Sequence, residues 1–258
     1  MAKFQKTKLN TLVNGWPKGV VIVAGYFRKL GISRQLSGVY KRSNWIAAIG
    51  RGAYIRPGEK LHWTGGVYAL QAQLGLPVHA GGKTALQMQG YRHFLPFRGG
   101  VVCLFGEPKT RLPGWFLRYK WGDSIRYAAT GLFTGKPERG LVDRPVGEYI
   151  LKISSPEKAM LELLYQVPGD ESFEEAMLLM QGLATLRPVL TQELLQDCAS
   201  VKAKRLFLYM AETCAHPWFK KLDLSKIGLG SGKRVIVPAG RLASGYNITV
   251  PFPEGEKR

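Results

Sequence analysis

Three stretches of this chain carry residue types whose spacing could do chemistry. The first, "PVHAGGKTALQMQG" at 77–90, ends a glycine pair in Lys83-Thr84, as a phosphate-binding loop does. Such a loop needs Gly-x-x-x-x-Gly-Lys-[Ser/Thr] after a buried strand, because its backbone N–H groups wrap the phosphates. Counting back from Gly82, the first glycine's place holds Pro77, which has no N–H and a fixed φ. No apolar strand ending in Asp follows to hold magnesium. A second stretch, "GLGSGKRV" at 228–235, has Ile227 and Arg234 where glycine and Ser/Thr are required. The first stretch reads better as strand, turn and helix, the helix covering about 83–90. Lys83 is then a possible anion contact beside the exposed N–H groups at a helix start. A nucleotide-binding phosphotransferase built on Gly81-Gly82-Lys83-Thr84 stands as the enzymatic alternative.

The third stretch, "VDRPVGEYILK", offers Asp143, Glu148 and Lys152 to a metal-dependent nuclease. Three residues separate Glu from Lys, which keeps them on one strand face but further apart than the one-residue gap of that motif. His62, His79, His93 and His216 are scattered, with no triad or ligand spacing. Cys103, Cys198 and Cys214 are odd in number and share no zinc-like spacing, so they read as reduced thiols of a cytoplasmic protein. No catalytic residue, metal or cofactor is expected.

Charge separates the elements that must position any site. Residues 1–60 hold twelve basic side chains and one acidic, a net of +11. Residues 61–152 carry +7 and residues 153–258 only +1, of +19 in all. So steep a gradient implies a front end that binds a polyanion. A membrane surface is set aside, because no long amphipathic helix with exposed bulky apolar residues accompanies the charge. The longest apolar run, "VVIVAGYF", is far short of a membrane span, and no signal-peptide pattern precedes it.

The front end has the pattern of a winged helix-turn-helix. A first helix is expected over 5–14 and a second over 20–30, with Val20, Val23, Ala24, Phe27 and Leu30 on its apolar face. Gly31 ends it, Ile32 plugs the turn, and Ser33 caps the next helix. In that helix Leu36, Val39 and Tyr40 form the expected buried stripe, leaving Arg34, Gln35, Ser37, Gly38, Lys41 and Arg42 outside. Arg suits guanine, Gln suits adenine, and Lys suits phosphates. "WIAAI" and "AYI", joined by Gly50-Arg51-Gly52, read as a hairpin with Arg51 at the tip of a wing. Ser33 and Arg56 complete the candidate DNA-binding set.

Behind it, residues 59–152 alternate short apolar runs with Gly/Pro turns, as a small α/β middle unit does. Four helices are then expected: one opened by Ser155-Pro156-Glu157, one by Ser172 with Glu175, and two over about 191–198 and 200–214. The tail from "KRVIVPAG" reads as a terminal β-hairpin. The basic run Lys202, Lys204, Arg205 reads as a solvated face, with a second nucleic-acid or a partner-protein contact as the functional alternative. The fold class is therefore α+β, in three units: 1–58, 59–152 and a mostly helical 153–258.

These residues resemble a known family. "FRKLGISRQLSGVYKRSNWIAAIGRGAYIRPG", "WTGGVYALQAQLGLPVHAGGKTALQMQGY", "ISSPEKAMLELL", "VKAKRLFLYMAE" and "GLGSGKRVIVPAG" with "YNITVPFP" follow one another as in the AbiEi family. That family supplies the antitoxin and transcriptional repressor of type IV toxin–antitoxin, or abortive-infection, systems. The resemblance runs from about Leu9 to Pro253 and rests on fold determinants rather than catalytic motifs. It implies a winged helix that binds inverted repeats in the double-stranded DNA of its own promoter. It also implies a C-terminal antitoxin region that counteracts a nucleotidyltransferase-like toxin without a stable complex. Arg34, Gln35, Ser37, Lys41, Arg42 and Arg51 are the positions onto which DNA contact carries over. A repressor that senses a ligand in its middle unit, with no toxin partner, stays open beside this.

Overall fold

In the computed structural model, residues 8–91, 100–238 and 240–252 are described. The front end runs α1 (Lys8–Asn14), β1 (Ile22–Val23), α2 (Ala24–Lys29), α3 (Arg34–Arg42), β2 (Ala47–Gly50) and β3 (Ala53–Ile55). The expected second helix is shorter than 20–30, because its first part is strand. Val20 to Val23 are β-branched and fully buried, a composition that favours extended backbone once a partner strand is present. β3 is that partner, pairing Ile22 with Tyr54 and Val23 with Ala53. The sheet order is β1-β3-β2. Leu12, Trp16, Val20, Ile22, Phe27, Ile32, Tyr40 and Ile46 form the core of this part.

The middle of the chain builds a five-stranded mixed sheet in the order β6-β5-β4-β8-β7. Its strands are β4 (Val78–Ala80), β5 (Val101–Gly106), β6 (Ser124–Ala129), β7 (Leu141–Val146) and β8 (Tyr149–Ser154). Between them lie α4 (Trp63–Tyr68) with a π-helical turn Ala69–Gln73, then α5 (Gly82–Met88) and α6 (Gly114–Arg118). The strand, turn and helix expected of "PVHAGGKT" are thus β4, Gly81 and α5. The expected boundary at 152/153 falls inside β8.

Four helices follow: α7 (Pro156–Gln166), α8 (Phe173–Gln181), α9 (Pro188–Asp197) and α10 (Val201–Thr213). α8 begins as expected, with the Ser172 hydroxyl accepting from Glu175 N at 3.0 Å. α9 starts earlier than expected, at Pro188 in its first turn. One continuous core joins the sheet, these helices and the tail, with Leu86, Leu104, Leu163, Phe207 and Val250 all buried.

The tail forms the expected hairpin and adds a third strand to it. β9 (Arg234–Val235), β10 (Arg241–Ala243) and β11 (Ile248–Val250) make a sheet in which β11 is central, antiparallel to β10 and parallel to β9. The basic run, by contrast, is not the solvated face expected. Arg205 is 2 % exposed and donates to the carbonyls of Leu229, Gly230, Gly232 and Asn247. Lys204 is buried, and Lys202 donates to the carbonyls of Tyr165 and Val167. A guanidinium with five donors in a fixed fork can gather several carbonyls, which is how α10 holds the tail.

Candidate nucleic-acid interface

α3 is positioned by the turn before it. Gly31 has φ +69°, a left-handed conformation that suits glycine, and its carbonyl accepts from Lys8 Nζ at 2.7 Å. Ile32 N bonds Phe27 O at 2.9 Å, and the Ile32 side chain is buried. Ser33 then caps α3, its hydroxyl accepting from Leu36 N at 3.1 Å. Beyond the cap Arg34, Gln35, Lys41 and Arg42 are all exposed. A shallow surface concavity is bordered by Ser33, Arg34, Gln35, Gly38, Val39 and Arg42.

Two side chains of α3 exchange their expected places. Ser37 is buried, and its hydroxyl donates to Arg34 O at 2.9 Å. Val39 is 43 % exposed. The helix therefore turns Leu36, Ser37 and Tyr40 inward; a small hydroxyl that satisfies itself on its own backbone can be buried there.

The wing is fixed at both ends of its turn. Gly52, at φ +74°, accepts from Ala24 N through its carbonyl at 2.8 Å, tying the turn to α2. A Cβ on Gly50 would lie 2.7 Å from Cβ of Trp115, so α6 packs directly on the turn end of β2. Arg51 between them is exposed. Arg56 is not. Its guanidinium donates to Val13 O at 2.8 Å and to Trp16 O, pairs with Glu59 at 3.4 Å, and lies 5.6 Å from the Trp16 ring centroid. It locks α1 to the hairpin instead of facing outward. Arg28 and Lys29, exposed at the end of α2, stand beside the turn. Sequence reasoning passed them over, although a basic last turn next to a recognition helix was legible.

The glycine–lysine stretch is occupied by the protein itself. Gly82 N donates to Glu162 Oε2 at 2.9 Å, Thr84 Oγ1 accepts from Cys103 N at 2.8 Å, and Lys83 pairs with Glu175 at 2.5 Å. The anion expected near Lys83 is thus supplied by the chain's own carboxylates. Glu162 is 1 % exposed and also accepts from His79 Nε2 and Ser154 Oγ, each at 2.8 Å. This cluster escaped sequence reasoning because its members lie up to 83 residues apart.

The remaining sequence candidates do not assemble. Lys152 reaches Asp143 at 3.8 Å on an exposed sheet face, while Glu148 accepts from Lys18 N at 3.0 Å. His216 bonds Met180 O, and His62 bonds Thr64; His93 lies outside the described residues. Burial pushes the Cys103 and Cys198 thiols up to about 11, away from reactivity. Among the described residues no three His, Cys, Asp or Glu gather to hold a metal. No described helix is long and apolar enough to cross a membrane.

A family model described as the N-terminal domain of the AbiEi antitoxin transcriptional regulator matches residues 5–97. A second, described as transcriptional regulator, AbiEi antitoxin, type IV TA system, matches residues 99–251. The crystal structure of the RV2827C protein from Mycobacterium tuberculosis is similar at TM-score 0.61 and 16 % identity, over 93 % of this chain and 88 % of that one. That likeness is one of fold. No curated protein matches the chain.

Proposed function

Since the chain belongs to the AbiEi family of antitoxin transcriptional regulators of type IV toxin–antitoxin systems, we propose that it is a DNA-binding autorepressor and antitoxin. Residues 1–58 act as a winged helix-turn-helix, 59–152 as an α/β middle domain, and 153–258 as the antitoxin domain. The observation that carries the DNA reading is α3, capped by Ser33 and exposing Arg34, Gln35, Lys41 and Arg42 beside Arg51 on the pinned wing.

In this reading α3 enters the major groove with its N-terminal residues toward base edges. Arg34 and Gln35 read bases, and Lys41 and Arg42 hold phosphates. Arg51 reaches the minor groove or its phosphates. Ser33 serves through its cap, while the buried Ser37 and the inward-held Arg56 support the fold of the interface and leave the contact set. Arg28 and Lys29 join it as phosphate contacts.

The DNA partner is the promoter of the chain's own operon, read as inverted repeats. The functional partner is a nucleotidyltransferase-like toxin, counteracted in the cytoplasm without a stable complex. The direct test is a gel-shift titration on the upstream promoter DNA. Arg34→Ala with Arg51→Ala must weaken binding; unchanged affinity overturns the winged-helix assignment. For the antitoxin half, co-expression of the full chain with the neighbouring gene must relieve growth arrest; arrest left unrelieved overturns it.

A further inference from the structure

The sheet unit contains a cavity of about 990 Å³ that none of the roles above uses. That is at the upper end of the roughly 300–1,000 Å³ typical of small-molecule sites. Its lining is mainly apolar, with Leu76, Val78, Phe105, Leu132, Phe133 and Ile150 contributing. Ile150 is 55 % exposed, an apolar side chain left open on a sheet face.

Besides His79, Lys158 and Glu162, the charged side chains Glu107, Glu138, Asp143 and Lys152 line the cavity. His79 lines the cavity, stacked on Phe105 with ring centroids 6.2 Å apart. With the Glu162 carboxylate accepting at 2.8 Å, Nε2 carries a proton. Nδ1 has no partner among the described residues. Lys158, also lining the cavity and 3 % exposed, donates to Pro137 O and Arg139 O at 3.1 Å. Its third proton has no oxygen partner among the described residues, and the Phe133 ring centroid lies 5.1 Å from Nζ. Glu162, Glu107 and Asp197 all lie close enough to act on the Lys158 charge, and an anionic ligand would add to these carboxylates. A ring bearing one hydroxyl suits these groups: its oxygen bonds His79 Nδ1 and Lys158 Nζ, and the ring lies against Leu132 and Phe133.

One wall also reaches the DNA-binding part. In the π-helical turn, Gln71 lines the cavity and bridges β4 and β8, donating to Val78 O at 2.7 Å and Lys152 O at 2.8 Å. Two residues on, Gln73 clasps β1, accepting from Val23 N at 2.9 Å and donating to Val21 O at 2.7 Å. π-Helical turns are rare and are frequent at functional sites.

We propose that this cavity is an effector site for an uncharged hydroxyaromatic molecule, coupled to operator binding through the turn Ala69–Gln73. The coupling half rests on the DNA-binding reading above; the site itself does not. The probe is 2-naphthol, titrated into the full chain by calorimetry, with naphthalene-2-sulfonate as a charged control of the same ring. Wild type binds 2-naphthol at least tenfold more tightly than the sulfonate. Ile150→Trp, at an exposed position that leaves the core intact, weakens it tenfold or more. Saturating 2-naphthol shifts promoter affinity in a gel shift by about fivefold or more. No heat with wild type, equal binding by Ile150→Trp, or promoter affinity unmoved at saturation each overturns the proposal. Promoter DNA left unbound without probe counts against the winged-helix reading alone, and calorimetry then decides the cavity.

Discussion

Gly82 gives its backbone N–H to the buried Glu162 carboxylate at 2.9 Å, and this one bond settles what a Gly-Gly-Lys-Thr sequence does here. The helix start that would cradle a phosphate cradles an internal carboxylate, and α7 is thereby fastened to α5 beneath the sheet. Replacing Glu162 by Gln removes the charge that His79, Ser154 and Gly82 converge on. Loss of one partner from such a buried arrangement costs about 3–5 kcal/mol, so the urea midpoint should fall sharply. A shift within error would remove Glu162 as the anchor. Lys83→Ala, by contrast, breaks a half-exposed pair with Glu175 and should cost roughly 0.2–1 kcal/mol. Calorimetry with ATP and magnesium should be silent for both wild type and variant.

The same carboxylate sets an acid limit on stability. Burial by itself raises the Glu162 carboxyl, but His79, Lys158 and the Gly82 N–H outweigh it and hold the group below its ordinary 4.5. A depressed folded-state pKa stabilises the fold above the unfolded value and loses that contribution as pH falls through the folded one. The difference in midpoint between wild type and Glu162→Gln should therefore be complete above pH 4.5 and shrink below it. A difference unchanged by acidification would contradict the charged pairing.

Salt titration separates the two kinds of DNA contact. Arg34→Ala should cost about 1–3 kcal/mol on the promoter and narrow the gap to unrelated DNA. Lys41→Ala should weaken both DNAs alike and lower the salt slope by about 1. Arg56→Ala should act through stability, because its guanidinium holds Val13 and Trp16. An Arg56→Ala protein that melts as wild type but loses promoter binding would return Arg56 to the contact set.

Arg205→Met tests how α10 holds the tail. Four hydrogen bonds from a charged donor are lost at once, and such bonds contribute about 1.5–3 kcal/mol each before water replaces the donor at these partly accessible carbonyls. A loss of at least about 3 kcal/mol is expected, read by urea denaturation and by proteolysis after residue 226. Promoter affinity of the folded protein should not move.

Gly65→Ala tests the close approach of α4 to the front end. An added Cβ would stand 1.8 Å from the Gly19 carbonyl oxygen. Backbone must move, at about 1–3 kcal/mol. A variant as stable as wild type would mean that α4 and the Gly19 segment can separate freely.

Features encoded within a few residues were legible. The Gly31 turn, the Ser33 and Ser172 caps and the Pro156 helix start each depend on their own neighbours. β1 was not legible as a strand, because Val20 to Val23 fit a helix face until β3 supplies a ladder. Nor was the rotation of α3, which chooses between Val39 and Ser37 by what packs beneath it. Lys202, Lys204 and Arg205 look like any solvated basic run; only the carbonyls of the tail, 24 to 42 residues away, make Arg205 a buried clasp.

The sequence by itself determined the charge gradient, the order of helices in the front end and back half, and the failure of the phosphate loop at Pro77. These follow from residue type and local backbone preference. Only the tertiary structure decided which basic side chains face outward, and that Arg56 does not. It alone brought Glu162 to Gly82 and His79, and opened the cavity beside them. Those outcomes depend on long-range packing, in which a hydrogen bond or a void belongs to segments that spacing along the chain does not relate.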